Sequence, residues 1–255
     1  MATIQEIQAV EYEMLQYVHK RCEQLGIRYC IVAGTLLGAI RHQGFIPWDD
    51  DVDVYMSMDD FEVFKKGFKS DRFFLQMPEN EKEFPSIVCK LRRNGTLMKL
   101  PQHESLDIHH GICLDIFVYT DAGNNALTRK LQVLFRNVLQ SFRLKYLYKR
   151  TRPERKLHAF LCRLPFSFNL CVDRMLYRTI KLLGSKKSSD YFSLDVCERM
   201  FFRKSFFDDT VLYPFEDGVF WGIREYDEYL CDFYGPDYMT PKKWGHVDDY
   251  STVKL

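Results

Sequence analysis

The sequence predicts an α/β front half followed by a mainly helical second half. Three observations carry this prediction. Apolar residues recur at helical spacing near the start, strand-like runs recur between about residues 28 and 120, and the pattern turns helical and aromatic-rich at about Ala126. We place a core at 1–125 and a helical region with C-terminal elements at 126–255, packed on that core as one structural unit.

The elements follow in order. Ile4, Ile7, Met14, Leu15, Val18, Cys22 and Leu25 keep a helical period, and Gly26 stops it. RYCIV reads as a short buried strand, and AGTLLGAIRHQG as a turn into a short helix ended by Gly44. DVDVYM alternates as a strand does, and Ser57 caps a helix over MDDFEVFKKGFK with Asp59 and Asp60 in its first turn. SIVCKLRR and GICLDIFVY read as strands, with Asn94-Gly95 as a turn signal between them. From Ala126 to Met200 the pattern is helical, broken at Pro153 and Pro165. The tail reads as irregular until REYDEYLCDFYG, a short helix closed by Gly235.

Composition narrows the possible functions. The 255 residues are 46% hydrophobic with a net charge of +1, enough for a core and against a general polyanion binder. The start has acidic residues and no apolar run, so no signal peptide is expected, and no stretch approaches a membrane span. Cys22, Cys30, Cys89, Cys113, Cys162, Cys171, Cys197 and Cys231 form no CxxC or zinc spacing, and most sit among apolar residues. Reduced, buried thiols in a cytoplasmic protein are the expectation.

The stretch PWDDDVDVYM crowds Asp49, Asp50, Asp51 and Asp53 together. On a strand, Asp51 and Asp53 share one face and Val52, Val54 and Met56 the other; Asp49 joins the acidic face if the chain is extended that early. Carboxylates at i and i+2 repel by about 2–3 kcal/mol at an effective dielectric near 20, which calls for a counter-charge behind a buried strand. Mg²⁺ fits, taking hard oxygen ligands while keeping waters or phosphate oxygens. The Gly34-Thr35 pair before a short helix adds an anion-binding helix start, so the spacing describes a phosphate site facing a metal site.

Gly34 to Met56, GTLLGAIRHQGFIPWDDDVDVYM, closely resembles the signature of the LicD family, phosphocholine transferases related to the fukutin-type ribitol-phosphate transferases. VCKLRRNGT, HHGICLDIFVY and YGPDYMTPKKWGH match that family in order. The resemblance implies a nucleotidyltransferase-like mixed sheet flanked by helices. It implies an enzyme dependent on Mg²⁺, with Mn²⁺ as an alternative. Such an enzyme transfers a phosphorylated alcohol, typically phosphocholine from CDP-choline, to a hydroxyl of a glycan or glycolipid and releases CMP. This is the chemistry of lipopolysaccharide biosynthesis and other glycan modification. Carried onto this chain, the resemblance makes Asp51 and Asp53 metal ligands, Asp49 a third acidic partner, and Gly34 and Thr35 the lining of the donor phosphates. Asp115 in CLDIF would complete the metal site or act as general base. Where many members continue DIFPLD, this chain reads DIFVYT, which puts substrate identity in question. Two other readings stay open: nucleotidyl transfer that releases pyrophosphate from a nucleoside triphosphate, and a non-catalytic sugar-phosphate-binding protein.

Arg41 is a candidate clamp on the donor phosphates, and Lys90 and Arg92, alternate on one strand, suit a diphosphate. His109 and His110 read as a loop pair near the cleft mouth, and a role for His246 rests on the resemblance alone. Phe45, Trp48, Trp221 and Trp244 are candidates for an aromatic cage around a quaternary ammonium. Phe142 to Lys156, FRLKYLYKRTRPERK, is basic and aromatic; it reads as a solvated helix end, a peripheral contact with anionic lipid at the inner membrane surface, or a site for a phosphate-bearing polymer. No RNA-binding module accompanies it, so no nucleic-acid partner is expected.

Overall fold

Helix α1 (Ile4–Leu25) is delimited by its own ends. The Thr3 hydroxyl accepts from the Glu6 N–H while the Glu6 carboxylate reaches back to the Thr3 N–H, and Gly26 closes the helix at a φ of 62°. The computed structural model describes residues 2–101, 103–152, 154, 156–194, 199–242, 250 and 252–255. After α1 come β1 (Cys30–Ile31), α2 (Ala33–His42), β2 (Asp53–Ser57), α3 (Met58–Gly67), β3 (Phe73–Gln76), β4 (Cys89–Arg93) and β5 (Cys113–Asp121). Four helices follow: α4 (Ala126–Arg143), α5 (Lys145–Thr151), α6 (Lys156–Leu161) and α7 (Phe166–Leu182). The chain continues with β6 (Asp190–Ser193), β7 (Phe201–Arg203), α8 (Lys204–Asp208), β8 (Thr210–Phe215), β9 (Gly218–Ile223) and α9 (Tyr226–Tyr234).

The strands form one mixed sheet in the order β3-β4-β5-β2-β1-β9-β8, with β6 added to β5 and β7 to β6. β2 runs parallel to β5 and β1 parallel to β9; the other pairs are antiparallel. With helices packed on this sheet, the fold is α/β, as expected. Alternation divides the two faces. Cys89, Ile116, Val118, Val54 and Met56 lie under α3 and the neighbouring α1. On the other face Tyr55 stacks on Phe117 at 5.3 Å, and Phe202, Phe207 and Tyr229 close over them. The first residues of β2 and β5 continue this second face beyond the aromatic layer, and there the side chains turn polar.

Several expectations need correction. The helical reading of 126–200 ends too late, because β6 within it is a strand. The tail is not irregular before α9: β8 and β9 form a hairpin, and β9 joins the sheet beside β1. Pro214 lies inside β8, where it argues against a strand, but β8 is an edge strand and one of its sides needs no ladder donor. Asn94-Gly95 does begin a turn, with Gly95 at a φ of 83°, yet the chain travels to Cys113 before β5 starts. Helix α2 begins directly at Ala33 and ends on Gln43, left-handed at a φ of 57°, rather than on Gly44. The Ser57 cap is present: its hydroxyl accepts from the Asp60 N–H.

Candidate active site

Register brings the central residues together. Asp53 on β2 is level with Asp115 on the parallel β5, and Asp115 is level with Lys90 on the antiparallel β4. Paired residues project to the same side, so the three side chains form a row across three strands. Lys90 Nζ donates to both Asp115 oxygens, at 2.7 Å to Oδ2. Burial pulls the Lys90 pKa down, but Asp115 and Cys113 more than offset it, and the net shift is upward. Lys90 therefore carries its charge inside this row.

The start of α2 is tied to the start of β2. Thr35 Oγ1 accepts from the Asp53 N–H at 2.8 Å, and the Val32 N–H donates to the Asp53 carbonyl at 3.2 Å. No side chain caps α2 at Val32, and Ala33 takes a φ of 47°, unusual for a residue with a Cβ. A Cβ at Gly34 would lie 2.7 Å from Asp49 Oδ2, so a larger residue there would have to displace that carboxylate. The acidic run thus folds against bare backbone at the helix start. Helix α1 holds the loop from behind, since Gln8 Nε2 donates to the Asp49 carbonyl at 2.8 Å.

Crowding shifts the carboxyl groups upward. Asp53 is pushed well up by burial first, then by Asp51, Asp115 and Asp49. Asp49 rises to about 8 through burial, then Asp51 and Asp50, with Arg41 opposing. Asp51 rises to about 6 through desolvation, then Asp115 and Asp50, with Lys90 opposing. Asp51 precedes β2 and keeps one side open to solvent. Among the described residues, no hydrogen bond or ion pair reaches the Asp51 or Asp53 carboxylate.

These donors fit one kind of metal site and not another. Among the described residues no group of three or more His, Cys, Asp or Glu side chains is placed to hold a metal ion by itself. The available donors are hard carboxylate oxygens whose full ionisation is opposed by their neighbours. That suits a hard divalent ion held by a few carboxylates, with water or phosphate oxygens as its other ligands.

The other expected residues divide. Arg41 lines a cavity of about 130 Å³ with Gly34, Trp48, Asp49, Tyr234 and Tyr238, and its guanidinium donates to the Tyr238 carbonyl at 3.1 Å. Thr35 is buried, its oxygen occupied by Asp53 rather than turned wholly to the cleft. Lys90 is engaged with Asp115. Arg92 is buried, donating to Gln76 Oε1 at 2.8 Å and the Gly111 carbonyl at 2.6 Å, so it fastens β4 to the loop before β5. The row of cations expected along β4 is thus committed to internal partners. His109 stacks on Phe74 and His110 bonds the Leu106 carbonyl, both within that loop. Phe45 packs on Phe215, Trp221 lies on β9, and Trp48 lines the cavity beside Arg41. Trp244, His246 and Cys197 lie outside the described residues. Cys22, Cys30 and Cys89 are buried free thiols as expected, but Cys171 is exposed.

Two groups beside the site were not anticipated. Tyr234 on α9 has its hydroxyl pKa raised, by burial first and then by Asp53, Asp49 and Asp51. Glu11 on α1 is 1% exposed, its Oε2 has no hydrogen-bond partner among the described residues, and burial followed by Asp51 pushes its carboxyl well up. The signal was the gap at position 11 in the stripe Ile7, Met14, Leu15, Val18: the helical period places residue 11 inside. A larger cavity, about 450 Å³, lies elsewhere, on the sheet face opposite the Asp53–Asp115–Lys90 row and between α3 and α7.

The LicD/FKTN/FKRP nucleotidyltransferase-domain model matches residues 26–157, which include α2, the acidic run, Lys90 and Asp115, and the chain belongs to this family. It is 29% identical to the lipopolysaccharide cholinephosphotransferase LicD of Haemophilus influenzae over 93% of this chain and 91% of that protein. It is also 46% identical to the human ribitol 5-phosphate transferase FKRP, over 34% of this chain and 21% of that protein. An uncharacterized protein of Rickettsia typhi, RT0683, is 32% identical over 42% of this chain and 28% of its own length.

Proposed function

We propose that this protein transfers a phosphorylated alcohol from a CDP-linked donor to a hydroxyl of a glycan or glycolipid and releases CMP, with phosphocholine as the leading candidate group. Family membership and the lipopolysaccharide and ribitol-phosphate activities in its relatives' names support the reaction class. The observation that carries the reading is the contrast within one row of carboxylates: Asp115 is ion-paired to Lys90, while among the described residues no hydrogen bond or ion pair reaches the Asp51 or Asp53 carboxylate, and both sit beside an uncapped helix start.

In this reading Asp51 and Asp53, with Asp49 as a third acidic partner, would hold Mg²⁺ or Mn²⁺, which when bound would supply positive charge against the donor diphosphate. The first N–H groups of α2 and the Arg41 guanidinium orient phosphate oxygens. Asp115, held in place by Lys90, takes the proton of the acceptor hydroxyl. The acceptor oxygen forms a bond to the distal phosphorus, the bond from that phosphorus to the bridging oxygen breaks, and CMP leaves with the electron pair. The chain contributes mainly positioning and fixed charge.

The test is a panel of CDP-choline, CDP-ribitol and CDP-glycerol incubated with Mg²⁺ and the protein, read as CMP release, which needs no acceptor. Release from one of them is expected. Pyrophosphate released from CTP, with no CMP from any CDP-alcohol, contradicts the reading in favour of nucleotidyl transfer. Binding with no Mg²⁺-dependent product contradicts it in favour of a non-catalytic binder.

A further inference from the structure

Helix α4 buries polar groups and exposes apolar ones. Its inward side carries Gln132 at 0% and Arg136 at 3% exposure beside the buried Leu139 and Phe142, and its outward side carries Leu127 at 67% and Leu134 at 53% beside the exposed Lys130 and Asn137. The inward polar groups are all engaged. Gln132 bonds the Gly123 N–H and the Asp121 and Ile180 carbonyls, Arg136 bonds the Leu194 carbonyl, and Arg143 forms a two-pronged pair with Asp173. They knit α4 to the end of β5, to α7 and to β6. The apolar stripe Leu127, Leu134, Val138, at i, i+7 and i+11, is left facing out.

Helix α7 repeats the pattern beside it. The Gln132–Ile180 and Arg143–Asp173 contacts show the two helices running antiparallel. Phe168, Met175 and Leu182, seven residues apart, are exposed, as are Leu157 and Phe160 on α6. Exposed apolar stripes on helices packed side by side are the kind of surface that marks a contact site.

Charge selects the occupant. Residues 126–187 contain 16 lysines and arginines and only two acidic residues, Glu154 and Asp173, in a chain whose net charge is +1; Arg129, Arg143, Arg150 and Lys181 pair with Asp190, Asp173, Glu83 and Asp59, and Arg136 and Lys145 are buried, which still leaves an excess of cations. Arg174 and Arg178 are exposed on α7 with no ion pair among the described residues. A second copy of this face would meet like charge, which disfavours self-association through it. No helix among the described residues is long and apolar enough to cross a bilayer, so contact would be made lying flat.

We propose that the outer face of α4, α6 and α7 docks on an anionic lipid bilayer, with Leu127, Leu134, Phe168 and Met175 entering the interface and the surrounding cations meeting lipid phosphates. This docking is independent of the chemistry proposed above. It would hold the enzyme at the surface where a lipid-linked acceptor resides.

The test is co-sedimentation of the full chain with vesicles of equimolar phosphatidylglycerol and phosphatidylcholine, and with phosphatidylcholine alone. Binding to the anionic vesicles is expected, weakening with salt. The double variants Leu134→Ser/Met175→Ser and Arg174→Glu/Arg178→Glu should each weaken it by about tenfold, with thermal melting unchanged because all four side chains are exposed. Failure to bind anionic vesicles, equal binding to neutral ones, or variants that bind as well as wild type would overturn the proposal. So would a solution dimer that Leu134→Ser/Met175→Ser dissociates, since the face would then belong to a second copy. None of these outcomes bears on CMP release.

Discussion

Asp53 and Asp115 lie level on the parallel strands β2 and β5, yet only Asp115 has a cation: Lys90 donates to both of its oxygens, and no hydrogen bond or ion pair reaches Asp53 among the described residues. The asymmetry separates two roles along one row. It makes Asp115 a fixed, oriented group and leaves Asp53 to whatever charge enters the cleft.

If Asp51 and Asp53 are the proposed metal ligands, Asp51→Asn and Asp53→Asn should each lower CMP release by about a thousandfold or more, since they remove the charge and keep the shape. Circular dichroism should show the fold retained. Full activity of either variant with Mg²⁺ present would remove these residues from the reaction.

Lys90→Met should cost about 2 kcal/mol of unfolding free energy at neutral pH, because it strands Asp115 beside Asp53 in a half-buried row. Adding Asp115→Asn to the same chain should restore most of it. Urea melts of the two variants measure the difference. A Lys90→Met protein as stable as wild type would mean that the pair contributes nothing to the fold.

The metal-free protein should lose stability as pH rises. Asp51 and Asp49 titrate from about 3.8 in the unfolded chain but at about 6 and about 8 when folded. Between those values the folded state holds protons that the unfolded state has released, so stability is greatest near the low end and falls as pH climbs through about 6 and then about 8. Melting temperatures across this window, with and without EDTA, test the sign. Mg²⁺ should stabilise more at about pH 8 than at about pH 5, where protons compete for its ligands.

Glu11→Gln isolates a buried carboxyl outside the proposed metal ligands. The unfolded group releases its proton at about 4.5, while the folded one keeps it well above that. The variant should match wild type at low pH and gain on it as pH rises, by up to about 1.4 kcal/mol per unit until the folded group titrates. A difference that does not change with pH would mean the carboxyl is not held neutral.

Thr35→Val should lower turnover while Thr35→Ser keeps it, because the hydroxyl oxygen accepts the Asp53 N–H and fixes where β2 begins. Equal turnover in the two variants would reduce Thr35 to packing.

The proximity of Gly34, Thr35, Asp49, Asp51 and Asp53 was legible because one continuous helix–loop–strand stretch, α2 to the start of β2, carries them all. So were α1, stopped by Gly26, and α3, capped by Ser57. The partners of the cations on β4 were not. Lys90 meets Asp115 only through the register between β4 and β5, and Arg92 is buried by a loop whose path the sequence does not specify. Pro214 disguised β8, and Tyr234 reaches the acidic cluster only because α9 packs across the sheet. Glu11 was within reach of a stricter helical count, as the one polar residue in an apolar stripe.

A crystal structure grown with Mn²⁺ and CDP-choline tests the central claim most directly. The expected result is an anomalous peak bonded to Asp51 and Asp53, with donor phosphate oxygens reaching both the ion and the first N–H groups of α2. Those two carboxylates turned to solvent with no peak between them, or a donor bound in another cavity, would contradict it.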